Sequence, residues 1–267
     1  MPLSTFLEAG FLGVLEALTE FLPVSSTGHL ILFVDLIGFE GPPGQVFEVV
    51  IQLGAILAVC VAFAEKLLGV AFGLPADPGA RRFALVIVLA FLPAVVLGVL
   101  LHDFIKSVLF SPYVVCVALI LGGVAILAIE HARPTPRTWT VEQFSPALAL
   151  GVGLAQCLAM VPGVSRSGAT IMGALLLGVE RRTAAEFSFF LAIPTMLGAA
   201  AYDLWQNRDG LTADGGLVIA VGFLAAFAAA LFVVRWFIGF VGRHGFALFA
   251  WYRIALGGGL LVALQLR

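Results

Sequence analysis

Runs of apolar residues dominate the chain, and the longest of them can cross a lipid bilayer as helices. Residues 46–64 (VFEVVIQLGAILAVCVAFA) and 83–101 (FALVIVLAFLPAVVLGVLL) are examples, because about 20 apolar residues span a hydrocarbon core of about 30 Å. The 267-residue chain is 61% hydrophobic and 11% charged, whereas soluble domains are about a quarter charged. We therefore predict an all-α integral membrane protein, with residues 1–267 forming a single transmembrane domain.

The charge and cysteine patterns narrow the function classes. A net charge of −2 leaves no basic stripe for a phosphate backbone, so no nucleic-acid partner is expected. Cys60, Cys116 and Cys157 are widely spaced within apolar segments, which is typical of buried side chains rather than of a metal site or disulfide framework. No Lys or Arg precedes Lys66, so a cleaved signal peptide is not expected.

Six apolar segments are long enough to span the membrane, and two others are interrupted by polar loops. Full spans are predicted near residues 46–64, 83–101, 112–129, 185–202, 217–238 and 246–264. The interrupted segments are 6–38, which contains SSTGH, and 147–178, which contains PGVSRSGAT. Helical pieces of about a dozen residues beside Pro23 would each be about 18 Å long. Because such pieces cannot cross the bilayer, both segments are predicted to be re-entrant helical hairpins.

The two interrupted segments resemble each other when Gly28 is aligned with Gly168, 140 positions later. Identical pairs include Gly13/Gly153, Leu18/Leu158, Ser25/Ser165, Ile31/Ile171, Gly38/Gly178, Glu40/Glu180 and Phe47/Phe187. Three predicted spans, an odd number, separate the segments, so the second segment should enter from the opposite face. We predict an inverted-topology repeat, with a first repeat over 6–130, a second over 147–265, and a site near the midplane.

Basic residues predict the orientation of the chain. One group would lie on one face of the membrane: Lys66, Arg81, Arg82, Arg133, Arg137, Arg181, Arg182 and Arg243. The opposite face receives Lys106, Arg208 and Arg267. The positive-inside rule assigns the larger group to the cytoplasm. Both termini and the mouth of the first hairpin are therefore expected to face outward.

Two glutamates in the first hairpin suggest a cation site. Glu16 and Glu20 are four residues apart, so they share one face of a helix. Carboxylates inside a membrane are costly unless paired, and a bound Mg²⁺ or Ca²⁺ would relieve their mutual repulsion. The structural alternative places both side chains in the headgroup region, but the flanking FLGVL and FLP are not polar enough for an interface.

The polar loops of the two hairpins are suited to binding phosphate. In the first loop, Ser25, Ser26, Thr27 and Gly28 precede a helix that begins near His29. Helix capping explains one hydroxyl there, but it does not explain three hydroxyls beside an imidazole and two carboxylates. The amides at a helix N-terminus can bind phosphate. The second loop contains Ser165, Arg166, Ser167, Gly168 and Thr170. Its guanidinium is a planar donor suited to phosphate, and a position within the loop argues against a helix-end snorkel.

The alignment shows how the two halves have diverged. Gln156 falls opposite Glu16, Met160 opposite Glu20, Arg166 opposite Ser26 and Ala169 opposite His29. If the loops meet at the midplane, they combine two carboxylates, a histidine, hydroxyls, an arginine and two helix N-termini. Phosphoryl transfer needs neutralised charge, an oriented nucleophile and a base. We therefore predict a phosphate-handling site.

At these residues the sequence resembles the undecaprenyl pyrophosphate phosphatase family of bacterial inner membranes, the bacitracin-resistance type. Matching motifs, GVLEALTEFLPVSSTGH, FEVVIQLGAILAV, PGVSRSGAT and EFSFFLAIP, extend over essentially the whole chain. The resemblance implies hydrolysis of a polyprenyl pyrophosphate lipid to the monophosphate carrier used in peptidoglycan synthesis. It also implies a divalent cation, Mg²⁺ or Ca²⁺, a site that opens outward, and an effect of bacitracin exerted through the substrate. A homodimer is one of the oligomeric states that stay open.

The resemblance also implies roles for the loop residues. Glu20, Ser26, His29 and Arg166 would be catalytic, and Glu16 and Glu20 would bind the cation. The substrate-binding residues would be Ser25, Thr27, Gly28, Ser165, Ser167, Gly168 and Thr170. We favour Ser26 as the nucleophile, with Glu20 or His29 as its base and Arg166 stabilising the phosphoryl group. Direct attack by His29 and attack by a metal-bound water are open alternatives.

A different function class, a transporter or flippase of a phosphorylated polyprenyl lipid, shares the inverted-repeat architecture. The clustered nucleophile, base and arginine favour an enzyme, because a carrier needs an anion site but no attacking group. Outside the loops, Glu48 and Gln52 are expected to contact or support the site. Arg253 is expected to be structural, as a snorkelling side chain or an ion pair. The run Gly257–Gly259 is expected to allow close helix packing.

Overall fold

The chain is all-helical in the computed structural model, which describes residues 3–39, 46–104, 111–132, 135–206 and 215–266. Within these ranges the α-helices are α1 (Leu3–Phe21), α2 (Ser26–Ile37), α3 (Val46–Ala62), α4 (Ala64–Gly73), α5 (Pro78–Phe104), α6 (Pro112–Ala132), α7 (Pro146–Gln156), α8 (Arg166–Leu176), α9 (Arg181–Gln206), α10 (Gly216–His244) and α11 (Ala247–Gln265). Short 3₁₀ turns occupy Val141–Gln143 and Cys157–Met160.

Among the described residues, five helices are long and apolar enough to cross a membrane: α5, α6, α9, α10 and α11. They cover five of the six predicted spans. The remaining span, predicted over 46–64, is different, because α3 ends at Ala62 and the chain bends by 75° into α4. Counting this bent pair as one span gives six. The protein is therefore a multi-pass membrane protein, and the exact count of six stays a prediction.

The interrupted segments form helical pairs, but their arms are unequal. In the second segment, α7 and α8 each have 11 residues, and α2 in the first has 12. Arms of about a dozen residues are thus confirmed for these three helices. The prediction is wrong for α1, which has 19 residues and is about 28 Å long at 1.5 Å per residue. Gly10 and Gly13 do not end α1 because it packs along α10. The re-entrant course stays a prediction.

The aligned segments also share close helix packing at a glycine. A Cβ on Gly13 would meet the backbone of Gly222 in α10, and a Cβ on Gly153 would meet that of Ala90 in α5. The aligned glycines therefore let α1 approach α10 closely and α7 approach α5 closely. Gly257 plays the same part between α11 and α6, where a Cβ would lie 2.8 Å from the carbonyl oxygen of Cys116. The repeat boundaries themselves stay predictions.

Several basic residues of the larger predicted group gather at one end of the bundle. Lys66 forms a salt bridge with Glu142, and its hydrogen bond lowers the pKa of that carboxyl. Arg82 donates to the carbonyl oxygen of Phe144, two residues from Glu142. Arg181 lies 2.6 Å from Glu130. These contacts fasten the segment between α6 and α7 across that end. Lys106, Arg133, Arg208 and Arg267 lie outside the described residues.

Close helix contact at Gly54 gives a stability prediction. A Cβ there would lie 2.5 Å from the carbonyl oxygen of Phe223 in α10, so Gly54→Ala forces α3 and α10 apart. We expect the free energy of unfolding to fall by about 1–3 kcal/mol, the usual cost of overpacking, in thermal unfolding of the purified protein. The control is Gly258→Ala, because no atom lies within 4 Å of its added Cβ. Equal melting temperatures of the two variants would contradict the prediction.

Candidate active site

The two polar loops meet through an ion pair between residues 146 positions apart. Arg166 Nη2 lies 2.9 Å from Glu20 Oε1, and both side chains are nearly buried. Beside this pair, Ser167 Oγ donates to the carbonyl oxygen of Leu22 at 2.9 Å. A loop from each interrupted segment is therefore joined to the other by a charged and a neutral contact.

The loops share an unusual backbone conformation. Ser25 and Ser165 are the non-glycine residues with positive φ in the described ranges, at 72° and 75°, a region that strains an L-residue. Each serine caps the helix that follows, because its Oγ accepts from the amide of Gly28 or Gly168. The strain is retained in both loops, and in each it turns the first residue of the next helix, Ser26 or Arg166, towards the junction.

Ser26 is hydrogen-bonded to a carboxylate. Its Oγ donates to Glu20 Oε2 at 2.5 Å, and the Ser26 side chain lies at the N-terminus of α2. Glu20 thus receives Ser26 on one oxygen and Arg166 on the other. A short hydrogen bond from a hydroxyl to a carboxylate is the arrangement from which a serine can be deprotonated.

Residues of α9 contact the Arg166 guanidinium, and one of its N–H donors has no hydrogen-bond partner. Nη1 donates to the carbonyl oxygen and Oγ of Ser188 at 2.9 and 3.3 Å, and Nη2 also contacts Met196 Sδ. Thr170 Oγ1 lies 2.7 Å from Ser188 Oγ and completes the support. The Nε atom is buried without a hydrogen-bond partner. It is a ready donor for an anion.

Glu16 has the features of a cation ligand. It is fully buried, and neither carboxylate oxygen has a hydrogen-bond partner. The charged groups that act on it are Glu20, Arg166 and Glu48. Its aligned counterpart Gln156 is also buried, with Nε2 unpaired. Across the described ranges, His, Cys, Asp and Glu form no cluster of three or more suited to a metal, so a cation here would need other oxygen ligands, such as waters, carbonyl groups or phosphate oxygens.

His29 has both ring nitrogens engaged. Nδ1 lies 2.7 Å from the carbonyl oxygen of Ser25, and Nε2 lies 2.6 Å from the hydroxyl of Tyr252 in α11. Of the other predicted site residues, Thr27 is exposed at the surface, whereas Gly28 and Gly168 are buried in the loop-to-helix turns. Glu48 and Gln52 are half-buried on α3.

Three residues that contact the site were not predicted from the sequence: Ser188, Met196 and Tyr252. The alignment could have identified Ser188, because the shift of 140 positions pairs it with Glu48, which was predicted to contact or support the site. Met196 lies about two turns farther along α9, where a methionine in an apolar helix carries no signal. Tyr252 lies in α11 beyond both loops, and nothing in the local sequence connects it with His29.

Arg253 joins both loops to the bundle. It is 1% exposed, and its donors reach five carbonyl oxygens at 2.9–3.3 Å: those of Pro23, Ala118, Leu119, Gly163 and Val164. Pro23 belongs to the first loop, and Gly163 and Val164 belong to the second. Arg253 thus has the contacts of a structural residue. The predicted form of that role was wrong, because its partners are carbonyl oxygens inside the protein rather than the headgroup region or a carboxylate.

Comparison with known proteins gives a consistent family. The model of the family described as "Bacitracin resistance protein BacA" matches residues 9–259. Undecaprenyl-diphosphatase 2 of Paramagnetospirillum magneticum is 60% identical over 261 residues, which cover 98% of this chain and 100% of that relative. Undecaprenyl-diphosphatases of Parvibaculum lavamentivorans and Cereibacter sphaeroides are each 57% identical, over 98% of this chain and 97% of theirs.

Loss of the Arg253 guanidinium should destabilise the protein strongly. Arg253→Met leaves five buried carbonyl oxygens with fewer donors, so we expect the free energy of unfolding to fall by at least about 3 kcal/mol. Thermal unfolding in detergent measures this. Arg243→Met is the matched control, because Arg243 is exposed and its Nε donates to the carbonyl oxygen of Gly239 in its own helix. If both variants melt together, Arg253 does not hold the loops.

Proposed function

The chain belongs to the bacitracin resistance protein BacA family, and we propose from its site geometry how it removes the terminal phosphate of its substrate. It is an integral-membrane phosphatase that hydrolyses undecaprenyl pyrophosphate to undecaprenyl phosphate and inorganic phosphate. The reaction returns the carrier lipid to peptidoglycan synthesis. In this proposal bacitracin acts by sequestering the pyrophosphate lipid and does not need to bind the protein.

The contact among Glu20, Ser26 and Arg166 carries the mechanism. Ser26 Oγ attacks the terminal phosphorus while its proton passes to Glu20 Oε2, to which it already donates. The bond from that phosphorus to the bridging oxygen breaks, and undecaprenyl phosphate leaves with the bridging oxygen. A phosphoserine remains. Arg166 Nε, buried and unbonded, donates to the transferring phosphoryl group without releasing Glu20.

Hydrolysis of the phosphoserine restores the site. A water oxygen attacks the phosphorus, the bond from phosphorus to Ser26 Oγ breaks, and Glu20 returns its proton to that oxygen. The protons of the water leave with inorganic phosphate. One carboxylate thus serves as base in the first step and as acid in the second, as microscopic reversibility requires.

Glu16 and Glu20 would hold the divalent cation, Mg²⁺ or Ca²⁺. The two unpaired, buried oxygens of Glu16 are the supporting observation, because a buried carboxylate without a donor needs a positive partner. When bound, such a cation neutralises charge on the pyrophosphate oxygens. Glu16 then orients the cation, while Glu20 keeps its bond with Ser26.

An apolar cavity beside the first loop supports a lipid substrate. Its volume is about 450 Å³, and it extends from Gly28 along α2 between α6 and α11, lined by Ile31, Leu32, Leu256 and Leu260. The lining suits isoprenyl units attached to a phosphate held at Ser26. No observation favours the transporter alternative, since the relatives bear phosphatase names and Ser26 is paired with a base.

We also place the protein in the bacterial inner membrane, with its termini and site mouth towards the periplasm. The supporting observation is the group of basic residues, Lys66, Arg82 and Arg181, whose contacts lie at one end of the bundle. The positive-inside rule assigns that end to the cytoplasm. Undecaprenyl pyrophosphate would then be reached from the outer leaflet.

Replacement of the nucleophile tests the proposed function. We expect Ser26→Ala to lower kcat by at least about 100-fold, measured as phosphate released from a polyprenyl pyrophosphate by purified protein. Ser4→Ala, which removes an exposed hydroxyl near the start of α1, should retain wild-type activity. Near-normal turnover by the Ser26 variant would exclude the serine and favour a metal-bound water. No phosphate release by the well-folded wild type would contradict the assignment as a phosphatase.

Removal of one cation ligand should change the metal requirement. We expect a chelator to abolish phosphate release, and Glu16→Gln to raise the Mg²⁺ or Ca²⁺ concentration for half-maximal activity by at least about tenfold. The control is Glu8→Gln, two turns earlier on α1. An unchanged cation dependence in the Glu16 variant would remove Glu16 from the metal site.

A further inference from the structure

The proton positions at His29 follow from its two partners. The carbonyl oxygen of Ser25 can only accept, so Nδ1, 2.7 Å away, bears a hydrogen. His29 is 1% exposed, its partners are neutral, and the guanidinium of Arg253 acts on it electrostatically. These surroundings favour a neutral imidazole. Nε2 then has a lone pair, which accepts from the Tyr252 hydroxyl at 2.6 Å.

The imidazole strengthens a weakly closed turn. The carbonyl oxygen of Ser25 accepts from the His29 amide at 3.3 Å and from His29 Nδ1 at 2.7 Å. The side chain therefore supplies the shorter bond to the strained residue immediately before Ser26.

The second loop is an internal comparison. Ala169 stands opposite His29, and its amide reaches the carbonyl oxygen of Ser165 at 3.0 Å. The capping bond from the amide of Gly168 is 3.1 Å, against 3.4 Å for its counterpart from Gly28. The turn that lacks an imidazole is closed more tightly by its backbone, whereas the turn with longer backbone bonds has His29 beside it.

We propose that Tyr252 is a positioning residue for the hydrolysis, and that His29 transmits its effect. The Tyr252 hydroxyl fixes the imidazole with Nδ1–H towards Ser25, and that bond holds the turn that aims Ser26 at the phosphorus. His29 is then neither base nor nucleophile, because both of its nitrogens are used in this chain of bonds. The inference rests on the proposed function and adds a residue from α11 to the reaction.

Kinetics of variants distinguish positioning from chemistry. Asn at position 29 can donate to the Ser25 carbonyl but is no base, so we expect H29N to retain at least about a tenth of wild-type kcat, and His29→Ala to lose about 100-fold. Tyr252→Phe should lower kcat about three- to tenfold with KM within about twofold, and should have no further effect in the H29N background. Tyr113→Phe on α6 is the control. H29N as inactive as His29→Ala, with both folded by thermal unfolding, would overturn the proposal.

A spectroscopic measurement needs no activity. In protein with ¹⁵N-labelled histidine, the signals lost in H29N identify His29 among the four histidines. We expect Nδ1 protonated and Nε2 unprotonated, with the Nε2 resonance moving in Tyr252→Phe to that of an acceptor without a hydrogen bond, and not moving in Tyr113→Phe. Protonation of both nitrogens, or an unmoved resonance in Tyr252→Phe, would refute the pairing. Phosphate release by the wild type tests the proposed function separately.

Discussion

Non-helical backbone inside a membrane protein must have its carbonyl groups satisfied, and here one guanidinium satisfies five. Arg253 reaches both polar loops and the middle of α6 from α11. Lipid offers no donors, so irregular loops at this depth are stable only where protein supplies them. The positions of Ser26 and Arg166 therefore depend on a residue that belongs to neither loop, and the site requires the last helix of the chain.

At the joined loops, some charged groups pair with each other and others have no hydrogen-bond partner. Glu20 and Arg166 neutralise each other at 2.9 Å, which lowers the cost of placing ions among apolar helices. Other buried groups are left without hydrogen-bond partners: acceptors on Glu16, and donors on Gln156 and Arg166 Nε. Unpaired acceptors and unpaired donors are complementary to a cation and to an anion. In the proposed function, a metal-bound pyrophosphate would supply both.

Sequence alone predicts what depends on periodic or repeated patterns. The apolar runs locate the helices now seen at α5, α6, α9, α10 and α11, and the alignment of Gly28 with Gly168 predicts that the two loops resemble each other. It does not predict the bend after Ala62 or the length of α1, since both follow from packing against helices distant in sequence. Tyr252 is hidden for the same reason: its partner His29 is 223 positions away.

The two polar loops carry unlike groups on similar backbones. Ser25 and Ser165 adopt the same strained turn, so the geometry that presents a helix N-terminus is common to both halves. At equivalent positions, one turn then carries the Ser26 hydroxyl and the other carries the Arg166 guanidinium. A symmetric pair of serines would lack charge stabilisation, and a symmetric pair of arginines would lack a nucleophile. The proposed phosphoryl transfer needs both, and the two loops supply them where Glu20 contacts Ser26 and Arg166.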